Sequence, residues 1–163
     1  MSINVGDQAP DFTLSTIGPE GPELVTLSER TAGTKTVLLF FPMAFTGVCT
    51  EEFCGLSRDL GDYRDLGAQI LGISGDNPFA QKAWADKEGI TIPLLSDYEH
   101  QAAGAWGVAY EQFLPDKNLP MGGVSKRSAF VIDAAGTVRY AEVNDNPGQL
   151  PDFDAIRKIL AEI

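Results

Sequence analysis

Residues Thr36-Val37-Leu38-Leu39-Phe40-Phe41 form an uninterrupted apolar, β-rich run that Pro42 cuts off. A run of this kind has no polar face, so it suits a central strand buried on both sides beneath flanking helices. Pro42 ends the strand because it has no N–H to give to a ladder. A second such run is Ala68 to Ser74. Between the two, Gly47 to about Leu60 reads as a helix, with Glu51 and Glu52 assigned to a first turn that favours acidic residues. Asn77-Pro78 reads as an N-cap followed by proline at the first helical position, and Gly89 as the matching stop. Pro93 to Asp97 is short and extended, and Gln101 to Trp106 is one or two helical turns. Residues 107–126, with Pro115, Pro120, Gly122 and Gly123, read as a long irregular loop. Ser128–Asp133 and Thr137–Val143 flank Ala134-Ala135-Gly136 as a hairpin. Asp152 caps a last helix reaching Leu160 or beyond, with Phe153, Ile156, Ile159 and Leu160 at helical spacing. At the start, Ala9–Leu14 is a short strand and Leu24–Leu27 its hairpin partner across Gly18–Pro22. The expectation is one domain over residues 1–163, an α/β fold with parallel central strands and an antiparallel edge.

Composition excludes several classes. Twenty-three acidic residues against twelve basic ones give a net charge of −11, which repels phosphate backbones and argues against nucleic-acid binding. No stretch approaches ~18 consecutive apolar residues, so no membrane span is expected. The opening Met-Ser-Ile-Asn-Val-Gly-Asp has neither a basic nor an apolar signal region, and the expected address is the cytoplasm. Two cysteines and one histidine cannot make a disulfide scaffold. Cys49, Cys54 and His100 offer at most three ligands, too few for a closed structural zinc site. His100 lies in the polar run Asp97-Tyr98-Glu99-His100-Gln101 and reads as the start of a surface helix rather than as a catalytic base.

The segment Phe41-Pro42-Met43-Ala44-Phe45-Thr46-Gly47-Val48-Cys49-Thr50-Glu51-Glu52-Phe53-Cys54 follows a buried strand and opens a helix. Cys49 falls in the first helical turn, where free backbone N–H groups and the positive dipole end favour an anion and so a reactive thiolate. Thr46, one turn earlier, brings a hydroxyl to the same spot, and Pro42 stiffens the approach. The residues alone leave a plainer reading open, in which Cys49 is a small buried hydrophobe.

Pro42-x-x-x-Thr46-x-x-Cys49 resembles the active-site motif of the peroxiredoxins, the thiol peroxidases of the thioredoxin-fold superfamily. Gly6-Asp7-x-Ala9-Pro10-x-Phe12, Phe40-Phe41-Pro42 and Leu95-Ser96-Asp97 fit the same family, so the resemblance spans nearly the whole chain. It implies a thioredoxin-like fold with a central mixed sheet and an N-terminal β-hairpin. It also implies that Cys49 attacks peroxide and becomes a sulfenic acid, with no metal or other cofactor. Arg127, just before Ser128–Asp133, matches the arginine that completes the family's site. Arg127, the Thr46 hydroxyl and the N–H groups of Val48 and Cys49 would then cradle the charge that develops on sulfur and oxygen. Glu52 is expected to orient the arginine, or else to be a solvated first-turn acid. Trp84 matches a tryptophan packed near the site in relatives, and equally an ordinary core anchor.

Cys54 resembles the resolving cysteine of the PrxQ (bacterioferritin comigratory protein) subfamily, whereas the wording Ala44-Phe45-Thr46-Gly47-Val48-Cys49 leans toward the AhpE-like group, where a second cysteine is not standard. The resolving route implies a Cys49–Cys54 disulfide recycled by thioredoxin or a similar dithiol, in a monomer or homodimer. Five residues along a helix put two Cα atoms ~8–9 Å apart, beyond the ~7 Å a disulfide spans, so residues 47–55 would have to unwind on oxidation. Phe113, Leu114 and Met121 in the long loop are expected to bias the site toward apolar peroxides. A disulfide reductase would want Cys-x-x-Cys, and a cysteine phosphatase an arginine where Gly55 stands. A non-catalytic thioredoxin-fold binding module is the main alternative from another class.

Overall fold

The computed structural model describes residues 2–163. In chain order the elements are β1 (Thr13–Gly18), β2 (Gly21–Thr26), α1 (Leu27–Thr31), β3 (Lys35–Phe40), α2 (Gly47–Arg58), α3 (Leu60–Asp65), β4 (Ala68–Ser74), α4 (Pro78–Glu88), β5 (Leu94–Ser96), α5 (Gln101–Ala105), β6 (Arg127–Ile132), β7 (Val138–Asn144) and α6 (Phe153–Glu162). Seven strands form one sheet in the order β2-β1-β5-β4-β3-β6-β7. The three central strands β5, β4 and β3 run parallel, and antiparallel strands continue the sheet on both sides. This is the expected mixed α/β sheet, with β3 and β4 at its centre.

β3 shows why the apolar run must be central. Val37, Leu39 and Phe41 point into one core with Phe53, Trp84, Ile156 and Leu160, while Leu38 and Phe40 point into the other with Leu71, Trp106 and Phe130. Alternation along a strand thus fills two helix-covered layers from one sequence. At Gly72 on β4 a methyl group would sit 2.6 Å from the Phe53 ring and 2.9 Å from Leu94, so α2 packs on the sheet only because that position lacks a Cβ. Among the described residues, no helix is long and apolar enough to cross a membrane.

Several expectations are corrected. The N-terminal hairpin runs Thr13–Gly18 against Gly21–Thr26, so the Pro/Gly-rich stretch supplies strand ends and a tight turn instead of a separate loop. The short helices α1 and α3 went unforeseen, since helices of five and six residues are too brief for periodicity to reveal. Residues 107–126 are not irregular. Tyr110 N–H to the Val124 carbonyl, Gly123 N–H to Tyr110 and Phe113 N–H to Met121 fold the segment back on itself, with a 3₁₀ turn over Pro115–Lys117. Phe113 is buried edge-on against Tyr110, 5.3 Å away, rather than being offered to a peroxide.

His100 does begin α5, but it is half-buried and takes a left-handed conformation (φ 59°). Its ring fills space beside Gly75 and Gly123, where Cβ atoms would lie 2.6 and 2.9 Å from it. The capping that sequence assigned to no residue comes from Asp97, whose carboxylate accepts from the N–H groups of Ala102 and Ala103.

Candidate active site

β3 delivers the chain to the C-terminal edge of the parallel strands, where ligands of open α/β sheets bind. Pro42 to Thr46 turn there, and α2 starts at Gly47. Its first backbone bond is Thr50 N–H to the Thr46 carbonyl, so the N–H groups of Gly47, Val48 and Cys49 have no acceptor within the helix. Cys49 therefore occupies the expected first turn, and it is buried. Glu51 and Glu52 do not; they come after the first turn, so neither complements the helix N-terminus.

Glu52 is instead wholly buried and paired with Arg127, whose Nη1 donates to Oε1 at 2.8 Å. The reading of Glu52 as a solvated acid is thereby ruled out. The Nη2 of Arg127 donates to Cys49 Sγ at 3.1 Å, and its Nε donates to the Pro147 carbonyl at 2.9 Å. Each edge of the guanidinium fork is thus committed, which fixes its plane. Burial pushes the Glu52 carboxyl up to about 7, and the Glu142 carboxylate adds to that push, against the pull of Arg127. Burial also opposes charge on Arg127, but Glu52 and Cys49 outweigh it and hold the guanidinium even more firmly protonated than usual. The second oxygen, Glu52 Oε2, is buried and accepts no hydrogen bond among the described residues.

Thr46 reaches the helix start as expected, yet not as a donor to the site. Its Oγ1 gives its proton to the Met43 carbonyl at 2.8 Å. A hydroxyl has one proton, so toward a substrate Thr46 can only accept. Trp84 is both of the things expected of it. Its ring packs between Phe41 and Phe53, at 5.3 and 5.8 Å, and its Nε1 donates to Thr50 Oγ1 at 3.0 Å on the first turn of α2.

Two supports went unread in the sequence. Asp76 accepts from the Ala44 N–H at 2.7 Å and from the Ser74 hydroxyl at 2.6 Å, which ties the Pro42–Thr46 turn to the end of β4. That tie flanks Phe45, an exposed aromatic held at φ 66°, a conformation that costs a non-glycine residue about 1–3 kcal/mol. A carboxylate just past the end of a buried parallel strand was the available signal for Asp76. The Pro147 carbonyl offered none, because any residue carries one.

Cys54 lies five residues along α2, half-buried, with its thiol 3.6 Å from the Glu88 carbonyl at the end of α4. The two cysteines are free thiols in an intact helix. Among the described residues, no group of three metal-ligating side chains is arranged to hold an ion.

Known proteins resemble this chain over most of its length. Alkyl hydroperoxide reductase E of Mycobacterium tuberculosis is 38% identical over 152 residues, covering 92% of this chain and 91% of its own. Mouse peroxiredoxin-2 is 34% identical over 167 residues, covering 98% of this chain and 79% of its own. The reduced 2-Cys peroxiredoxin of Plasmodium vivax superposes with a TM-score of 0.81 at 27% identity, covering 96% of this chain and 79% of its own, so the fold is thioredoxin-like as expected. The AhpC/TSA family model matches residues 5–141. With a guanidinium on the Cys49 sulfur at a helix start, and with relatives aligned over nearly its whole length, this chain belongs to the AhpC/TSA family, the thiol peroxidases called peroxiredoxins.

Proposed function

We propose that Cys49 is the peroxidatic nucleophile, reducing hydrogen peroxide and organic hydroperoxides. The observation that carries this reading is the buried 3.1 Å contact between Arg127 Nη2 and Cys49 Sγ. The thiolate attacks one peroxide oxygen and the other leaves as water or alcohol. Negative charge spreads from sulfur over both oxygens in the transition state, where Arg127 and the Val48 and Cys49 amides are already aimed. Thr46 accepts a hydrogen bond from the peroxide and so turns it toward the sulfur. Pro42 and Asp76 hold the turn that places Thr46.

Cys54 is the resolving thiol in this reading. It condenses with the Cys49 sulfenic acid, releasing water, and a thioredoxin-like dithiol in the cytoplasm reduces the resulting disulfide. Since both thiols lie in one helix, α2 must unwind over about 47–55 for the bond to form. One observation favours a one-cysteine route: the bond from Cys54 to the Glu88 carbonyl turns that thiol toward α4. Mass spectrometry after one equivalent of peroxide separates the routes. Loss of two hydrogens means the internal disulfide, and gain of one oxygen means a stable sulfenic acid. An unchanged mass with peroxide unconsumed sinks both and leaves a non-catalytic binding module.

A further inference from the structure

The buried cluster at the start of α2 contains one permanent positive charge, Arg127, and two acidic groups, Cys49 and Glu52, bonded to opposite ends of its fork. Both side chains of the Glu52–Arg127 pair are at most 1% exposed, so water cannot compensate an extra charge. With both acids ionised the cluster would carry a net negative charge there, next to the Glu142 carboxylate, with Glu52 Oε2 accepting no hydrogen bond. One proton shared between the two acids leaves the cluster neutral.

We propose that Glu52 holds the proton that Cys49 gives up, and releases it when Cys49 is oxidised. This rests on Cys49 being the peroxidatic thiol. In the resting state Glu52 is a neutral carboxylic acid and Cys49 a thiolate. Attack on ROOH forms the S–O bond and breaks the O–O bond, giving Cys49 sulfenic acid and RO⁻. The negative charge has then left the sulfur, so Arg127 needs a counter-charge and Glu52 ionises. The proton lost by Glu52 balances the one RO⁻ takes up to become ROH, and the sulfur has been oxidised by two electrons at the expense of the O–O bond. Arg127 from β6 is bonded to Glu52 and carries Cys49 on its other end, Glu142 from β7 acts on it through space, and Glu51 and Arg58 of α2, Asp59 at its end, Tyr63 from α3 and Arg157 from α6 line the cleft beside it. That cleft, of about 200 Å³ and also lined by Phe153, is where the proton exchanges with solvent.

An ionised Glu52 that merely orients Arg127 predicts something else. Its replacement in Glu52→Gln would remove a buried negative charge from the cluster, and the thiolate would appear at lower pH, with about tenfold more thiolate in the acidic limb. Proton sharing predicts that Glu52→Gln, which matches the neutral acid and still accepts from Arg127, leaves the pH at which the thiolate appears in place. Thiolate absorbance and the pH profile of alkylation read this without any peroxide. Infrared spectroscopy provides a second arm that does not depend on how the variant folds. The wild type at neutral pH should show the carbonyl stretch of a protonated, buried carboxyl group. Cys49→Ser should lose that band, because Glu52 then becomes the sole counter-charge of Arg127, and one equivalent of peroxide should bleach it in the wild type. A thiol titration that moves to lower or to higher pH in Glu52→Gln overturns the proposal, as does a wild-type spectrum without the band or one that Cys49→Ser leaves unchanged. If the band behaves as expected while peroxide is not consumed, the proton sharing stands and the peroxidase reading falls.

Discussion

Two thiols on one helix sit five residues apart in different surroundings. Cys49 occupies the first turn of α2, buried, with backbone amides ahead of it and a guanidinium on its sulfur. Cys54 sits in the middle of the same helix, half-buried, beside the backbone carbonyl of Glu88 and a surface cleft shared with Ser57, Arg58 and Thr91. The Glu88 carbonyl accepts from one sulfur, while the Arg127 guanidinium donates to the other and brings a full positive charge. What distinguishes the two is therefore not the cysteine but where the helix starts and which strand lies behind it. β6 puts Arg127 in hydrogen-bond contact with Cys49, while Cys54 faces the Glu88 carbonyl.

The rate at which Cys49 is oxidised tests this contrast most directly. Cys49→Ser should abolish peroxide consumption entirely, and a stopped-flow trace showing residual turnover would falsify the assignment. Arg127→Met should slow oxidation by about 10²–10³-fold, the usual loss when a preorganised charge is removed. The same change strands a buried acid, so denaturant titration should show a loss of about 3 kcal/mol. Asp76→Ala releases the Ala44 amide and the strained turn at Phe45, and oxidation should slow roughly tenfold with little change in the fold as read by circular dichroism. Cys54→Ser should leave the first oxidation within about twofold of the wild type, because Cys54 plays no part in the transition state. It should nevertheless replace the disulfide mass with that of a sulfenic acid. In the wild type, amide exchange over 47–55 should speed up on oxidation; equal protection in both forms would exclude a helix-embedded disulfide. The smallest effect is on stability. Glu52 titrates near 7 in the folded chain against an ordinary 4.5, so the folded state binds its proton more tightly. Its contribution is complete below about 4.5 and is lost as pH rises toward 7, and Glu52→Gln should flatten that part of the stability profile measured by urea unfolding.

Much of the site was legible in the sequence because its chemistry depends on local order. Pro42, Thr46 and Cys49 are spaced to put a strand end, a hydroxyl and a thiol at one helix start, and no tertiary contact is needed to see it. The central strands were legible for a similar reason, since a run such as 36–41 has only one stable place in a sheet. Local pattern misled where two roles share one residue type. Glu52 reads as a helix-start acid until the fold buries it, and Thr46 reads as a donor until the Met43 carbonyl takes its proton.

Local pattern was enough to place a cysteine at the opening of a helix behind a buried strand, because backbone hydrogen bonding and side-chain periodicity act over a few residues; the expectation that it is reactive came from the family resemblance. The resemblance named Arg127 and Glu52 for this place, but their burial, their pairing and the Asp76 tie needed the three-dimensional fold. Arg127 lies 78 residues from Cys49 and 75 from Glu52, and Asp76 lies 32 from Ala44. Those contacts follow from strand order and from α2 packing over Gly72, which bring Cys49, Glu52 and Arg127 into one buried cluster.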